Sequence, residues 1–257
     1  MDRQGELIVT FDGSFDGLLT VVYNRFYENL RPDFISKRGN VQQRLDSQIT
    51  DIETDFDKSA KVYEGIASKI SPGAIHTVYY ASLKDDAEIY TKIYRYILLG
   101  FKVHGDINNY LKEDYVLGVL KAAKTVGREA NFLREFIRFK ETKDGILYGE
   151  ISPESNCLGI VAHHFADRFL GLKWIIADKK RDISAVSGGE GFILTDDILP
   201  DIGEFADKEE NLIALWKMFH KTIANESRVN PKLQTQLLPK RYRKHMTEFQ
   251  IDFNLPD

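Results

Sequence analysis

With 257 residues, 43% of them hydrophobic, the chain is long enough for one large core or two modest ones. A formal net charge of -4 excludes a uniformly basic polyanion binder, and a single cysteine, Cys157, excludes an internal disulfide and any cysteine-clustered zinc or iron-sulfur site. No run of about eighteen apolar residues occurs, and the opening MDRQGELIVTFDG lacks a basic stretch leading into an apolar one, so a soluble, cytoplasmic protein without membrane contact is expected.

Leu7 to Phe11 read as a short strand, followed by the turn Asp12-Gly13-Ser14 and a helix whose apolar positions are Phe15, Leu18, Leu19, Val22, Phe26 and Leu30. Ser14 suits the N-cap and Asp16 the positive end of the helix dipole. The alternative for this turn is a carboxylate pair, Asp12 with Asp16, holding magnesium; a phosphate cradle conflicts with two negative charges. Residues 31–54 are polar, with weak periodicity, and read as exposed connection. Asp55 and Asp57 then precede a helix with Ala60, Tyr63, Ile66, Ala67 and Ile70 on one face, which Ser71-Pro72-Gly73 stops. Ala74 to Leu83 form a further short helix. Asp85 and Asp86 precede Ile89, Tyr90, Ile93, Tyr94, Ile97 and Leu98, and a last helical face carries Val116, Val119, Leu120, Ala123, Val126 and Ala130. The many tyrosines of this block, Tyr79 and Tyr80 included, fall at helical spacing and read as core, the alternative being platforms for unpaired bases.

Two strand-like runs, Phe136 to Glu141 and Ile146 to Ile151, flank Lys143-Asp144-Gly145 and read as a hairpin. Asn156 is the expected cap of the next helix, where Leu158, Val161, Ala162, Phe165 and Phe169 face inward and Ile160, His164 and Arg168 share a neighbouring face. His163 and Asp167 have the i, i+4 spacing of a metal pair, but two ligands are too few and no metal or other cofactor is expected. His164 can move protons near neutral pH and Arg168 can grip a phosphate or carboxylate, unless the two are simply satisfied by the sheet. Trp174 to Asp178, Ile183 to Ser187 and Phe192 to Leu194 read as strands of a meander. The expected fold is α+β in one domain, 1–257. A mainly antiparallel sheet packs with helices in a core of about 134–195 joined by residues 1–30, next to a helical sub-region of about 55–133. A C-terminal helix with Leu212, Leu215, Trp216, Phe219 and Ile223 and a basic segment complete it over 207–246.

That segment concentrates the positive charge. Between Arg228 and Met246 stand Arg228, Lys232, Lys240, Arg241, Arg243 and Lys244, with no acidic residue among them. Two prolines divide it, and Tyr242 lies among the cations, a pattern that suits phosphate contact with base stacking as well as a solvated charge run.

The segments FDGSFDGLL, REANFLREFIRFKE, HHFADRF with WIIAD and Arg181 behind it, RVNPKLQ and PKRY, in this order, resemble a bacterial family of DNA-metabolism and DNA-repair proteins whose biochemical function is unassigned. The resemblance covers nearly the whole chain. It implies association with a radical S-adenosylmethionine protein, and in some members fusion to a uracil-DNA glycosylase-like domain. Asn131 stands where the family pattern has histidine and Arg243 where it has tryptophan, which weakens a histidine-based mechanism at that helix end. With one cysteine, radical chemistry must belong to the partner.

The expectation is therefore a DNA-binding accessory of a radical-SAM enzyme in DNA repair. His164, Arg168, Asp178 and Arg181 line its cleft, and Arg181, Arg228, Asn230, Lys240, Arg241, Tyr242 and Arg243 meet the nucleic acid. One alternative is a hydrolytic or base-processing enzyme in its own right, with His164 as acid/base and Asp12 or Asp178 as its carboxylate partner; another is a protein-binding adaptor.

Overall fold

A computed structural model describes residues 5–41, 47–105, 107–196, 204–223 and 230–250. The chain divides into two compact units, residues 1–127 and 128–257.

In the first unit β1 (Glu6–Phe11) leads through α1 (Phe15–Tyr27) to β2 (Phe34–Lys37), and β3 (Ser47–Asp51) follows. The strand order is β2-β1-β3, with both pairings parallel. For β1 and β2 the reason lies in the connection: the helix α1 between them carries the chain back to where the first strand began. The expected placement of residues 1–30 with the 134–195 sheet is thereby corrected, since β1 is the centre of a separate sheet. Residues 31–54, read as connection, contain β2 and β3. Both are short edge strands, and β3, SQITD, is too polar and too exposed to show an apolar alternation.

The helix starts follow the capping chemistry. Ser14 Oγ accepts from the Gly17 amide at 2.9 Å and opens α1, and Asp55 Oδ1 accepts from the Lys58 amide at 3.0 Å and opens α2 (Phe56–Lys69). Ser71 accepts from the Ala74 amide and places Pro72 in the first turn of α3 (Pro72–Ser82), so the residues that stop α2 also start its successor. Then come α4 (Ile89–Val103) and α5 (Asp114–Phe136). Val9 and Phe11 of β1 and Leu18 and Val22 of α1 pack with Ile66, Ile93, Tyr96 and Ile97 in one buried cluster. Tyr90 and Tyr94 are buried with them, as core packing requires.

In the second unit β4 (Phe139–Glu141) and β5 (Leu147–Ile151) form the expected hairpin, followed by α6 (Leu158–Arg168), β6 (Trp174–Asp178), β7 (Ile183–Ser187) and β8 (Ile193–Thr195). The sheet runs β4-β5-β6-β7-β8. It is mixed rather than mainly antiparallel, because β5 and β6, joined through α6, pair in parallel. Leu158, Val161, Ala162 and Phe165 of α6 are buried, as are Trp174, Ile176 and Ala185 of the sheet. The cap of α6 is Cys157, without a side-chain bond, in place of Asn156. Beyond it lie α7 (Lys208–Ile223), α8 (Pro231–Leu237) and α9 (Lys240–Arg243). α7 is tied to the hairpin where Glu209 accepts from the Glu141 amide at 2.8 Å, yet Leu212, Leu215, Trp216 and Phe219 remain solvent-exposed rather than buried. The side chain of Ile223 lies outside the described residues. No described helix is long and apolar enough to cross a membrane.

The turn before α1 has no spare volume. A Cβ on Gly17 would stand 2.4 Å from Asp12 Oδ1 and 2.8 Å from Thr54 Oγ1, while a Cβ on Gly159 in α6 meets nothing closer than Leu194 at 3.8 Å. Gly17→Ala should therefore destabilise by about 1–3 kcal/mol through overpacking. Gly159→Ala should stabilise by about 0.4–1 kcal/mol through the restricted unfolded chain. Denaturant unfolding checks both, and equal behaviour of the two variants would contradict this account.

Candidate nucleic-acid interface and its anchoring network

The stripe of α5 that carries Val126, Ala130 and Leu133 also carries Glu129, which is only 3% exposed. A buried carboxylate needs donors. Glu129 accepts from the amides of Glu154 and Ser155, each at 2.8 Å, and from the Tyr242 hydroxyl at 2.9 Å, with the Arg241 guanidinium 3.9 Å away. This one side chain fixes the loop leading into α6 and fastens the C-terminal basic segment. Burial, with the Glu129 charge also acting, pushes the Tyr242 hydroxyl up to about 12. It pushes the enclosed Cys157 thiol up to about 12 as well, so that thiol stays protonated and unreactive.

Asp178 and Arg181 serve the same loop. Asp178 is 1% exposed and accepts from the Lys180 amide at 2.9 Å and from Arg181 Nη1 at 3.0 Å. Arg181 in turn donates to the Pro153 carbonyl at 3.0 Å and the Glu154 carbonyl at 2.7 Å. In this arrangement the pair clamps residues 153 and 154. Asp12 belongs to the first unit, where it accepts from the amide and hydroxyl of Ser14 and from Thr54. Partial burial works to raise its pKa, but these bonds and the nearby Arg38 charge hold the carboxyl below the usual range. Asp16 accepts from Ser59. Among the described residues no three His, Cys, Asp or Glu side chains converge on a metal position.

His164 is half-buried on α6, with His163 and Arg168 exposed. Burial, then the charges of Arg134 and Arg168, hold His164 below the ordinary histidine value despite Asp167. Arg134 reaches from α5 to the Ile160 carbonyl at 3.2 Å and to Asn131 at 3.3 Å. His164 and Arg168 thus share a positively charged stretch of α6, in which His164 favours the neutral form.

The basic segment is sorted by the anchor. Lys240, Arg241 and Lys244 are exposed while Tyr242 is 5% exposed, its ring beside Phe132, with no face open for a base to stack on. This replaces the expected stacking role of Tyr242 by a structural one. Arg243 donates to the Leu238 carbonyl at 3.2 Å and lies over Phe249, and Asn230 caps α8 by accepting from the Leu233 amide at 3.0 Å. Arg228 lies outside the described residues. Further along, Arg138 holds Glu248 through two bonds of 2.7 and 3.3 Å and lies over Trp216, tying the segment down a second time.

A third tie was not legible in the sequence. Ser152 Oγ and His245 Nε2 are 2.8 Å apart, and His245 Nδ1 is 3.3 Å from Glu150, which also accepts from Tyr148 at 2.9 Å. A hydroxyl, an imidazole and a carboxylate in series can relay a proton. The adjoining cavity measures about 10 Å³, room for one water at most. Pro153 has no N–H, and the next two amides are committed to Glu129, so the donors that would stabilise an oxyanion beside Ser152 are already taken.

A family model described as "Domain of unknown function (DUF4130)" matches residues 87–248. No curated protein matches the chain.

Burial, followed by the Lys244 and Lys179 charges, keeps the pKa of His245 below the usual histidine value of about 6.5, against the pull of Glu150. The sign follows: the fold prefers neutral imidazole, so this contribution to stability is present above about pH 6.5 and lost as pH falls through the lower folded value. The unfolding midpoint of the wild type should therefore drop more steeply between pH 7 and pH 5 than that of His245→Gln. Parallel profiles, or a His245 NMR titration above 6.5, would contradict it.

Proposed function

We propose that this chain, which belongs to the DUF4130 family, is a DNA-binding accessory protein that contacts phosphates through the exposed cations of its second unit. The observation that carries the reading is the anchoring of the basic segment. Tyr242, His245 and Glu248 are fastened to Glu129, Ser152 with Glu150, and Arg138, while Lys240 and Arg241 just before the first anchor and Lys244 between the first two face solvent. Cations held on a fixed frame lose less freedom on meeting a phosphate than cations on a loose tail. Lys179, at the end of β6, acts on His245 together with Lys244 and adds to the same positive field. The resemblance to DNA-metabolism and repair proteins supplies the rest of the proposal: the enzyme served is a radical-SAM protein, which carries the chemistry.

The test is a salt titration of DNA binding. Lys240→Gln, Arg241→Gln and Lys244→Gln together should weaken binding across sequences alike and flatten the slope of log affinity against log salt by about 0.9 for each duplex phosphate that is no longer neutralised. An unchanged slope with undiminished affinity would remove the site.

A second reading, a hydrolytic enzyme, is favoured by the Ser152, His245 and Glu150 series alone. It moves the acid/base role from His164 to His245. It requires Ser152 to react with a fluorophosphonate probe and to lose that reaction in His245→Gln. Intact protein without label at Ser152 eliminates it.

A further inference from the structure

Within the first unit the ends of α1, α2 and α4 enclose an open cavity of about 290 Å³. That is near the lower end of the roughly 300–1,000 Å³ of small-ligand sites. Its walls are aromatic and cationic. Tyr23 and Tyr27, one turn apart on α1, stack with centroids 4.2 Å apart and planes inclined by 15°, and Phe26 meets Phe101 of α4 edge-on at 5.5 Å. Lys61 and Lys69 of α2 and His104, the left-handed cap of α4, also line it, and among the described residues the lining contains no carboxylate. Two acidic residues adjoin the lining in sequence: Glu28, engaged by Lys58 at 2.7 Å, and Glu64, which is exposed on α2 beside Gly65. Gly65 supplies the gap, because a Cβ there would already lie 3.4 Å from the Phe101 ring.

We infer that this cavity binds an unpaired nucleotide of a single DNA strand, its base stacked on the Tyr23 and Tyr27 pair and its phosphate between Lys61 and Lys69. Tyr27 is 71% exposed, so its ring is accessible to a ligand. Its outer face continues a stack that Tyr23 has already begun, which is the geometry by which proteins hold bases without reading sequence. Cations beside an aromatic wall exclude a purely apolar occupant and favour one that joins a flat ring to a negative charge. The site lies in the first unit and is built from stacking, whereas the basic segment of the second unit offers phosphate contact alone. The two therefore make separate demands on the nucleic acid.

The experiment uses the full chain with a fluorescent ten-nucleotide oligo-dT, a duplex of equal length, and dTMP as the free nucleotide. Tyr27→Ala should weaken oligo-dT binding about 5- to 100-fold, the range for loss of one stacked base. Tyr27→Phe, which keeps the ring, should restore it, and duplex affinity should stay unchanged. Lys61→Gln with Lys69→Gln should weaken oligo-dT binding and lower its salt slope. These losses should persist when Lys240, Arg241 and Lys244 are already Gln, so failure of the basic segment and failure of the cavity are told apart. The inference is overturned by unchanged oligo-dT affinity in Tyr27→Ala, by equal loss on duplex, or by dTMP occupying the cavity while oligo-dT affinity is insensitive to Tyr27.

Discussion

A carboxylate with 3% exposure is expensive to keep ionised away from water, and Glu129 offsets that cost with three donors and a nearby guanidinium. Much of the second unit is arranged around this requirement. The loop of residues 153–157 takes its course because two of its amides must reach Glu129, and α6 starts where that loop releases the chain. Arg181, held by Asp178, takes the carbonyls of Pro153 and Glu154 on the other side of the same loop. Removing Glu129 would leave several buried donors unpaired at once, which costs more than the loss of any one bond.

The same requirement separates residues that looked equivalent in the basic segment. Tyr242 faces inward because its hydroxyl completes the Glu129 shell, and that orientation turns its neighbours Lys240 and Arg241 toward water. Arg241 stays 49% exposed while lying 4.9 Å over the Tyr242 ring, positioned without being consumed. The acidic average of the chain therefore does not describe the surface a polyanion would meet. The partners of Asp178, Arg181 and Asp12 place these residues in the scaffold, and among the expected cleft residues His164 and Arg168 keep a surface position.

How far this was legible depends on the range of the interaction. Ser14 and Asp55 opened their helices as capping chemistry dictates, and the Asp144-Gly145 turn made its hairpin, because each depends on residues three or four apart. The parallel pairing of β5 with β6 was implicit in the intervening helix but lost once the strands were read as one antiparallel sheet, and that of β1 with β2 was lost because residues 31–54 were read as connection. β2 and β3 carry too few apolar residues to signal an edge strand. Glu129 was readable, since it interrupts an apolar stripe at three residues from Val126 and four from Leu133. Tyr23 and Tyr27 also show the spacing of a helical ring pair. Nothing local marks Ser152 and His245, which are 93 positions apart.

The ties of Glu129 to Tyr242 and of Arg138 to Glu248 span 113 and 110 positions. During synthesis, α5 and the whole five-stranded sheet are therefore made while Glu129 still lacks one of its donors. Until residue 242 has emerged that carboxylate lacks its hydroxyl donor, and closing such long loops is slow. The nascent second unit is thus open to chaperones and proteases for longer than its compact sheet suggests, and its last step of maturation brings the basic surface into being.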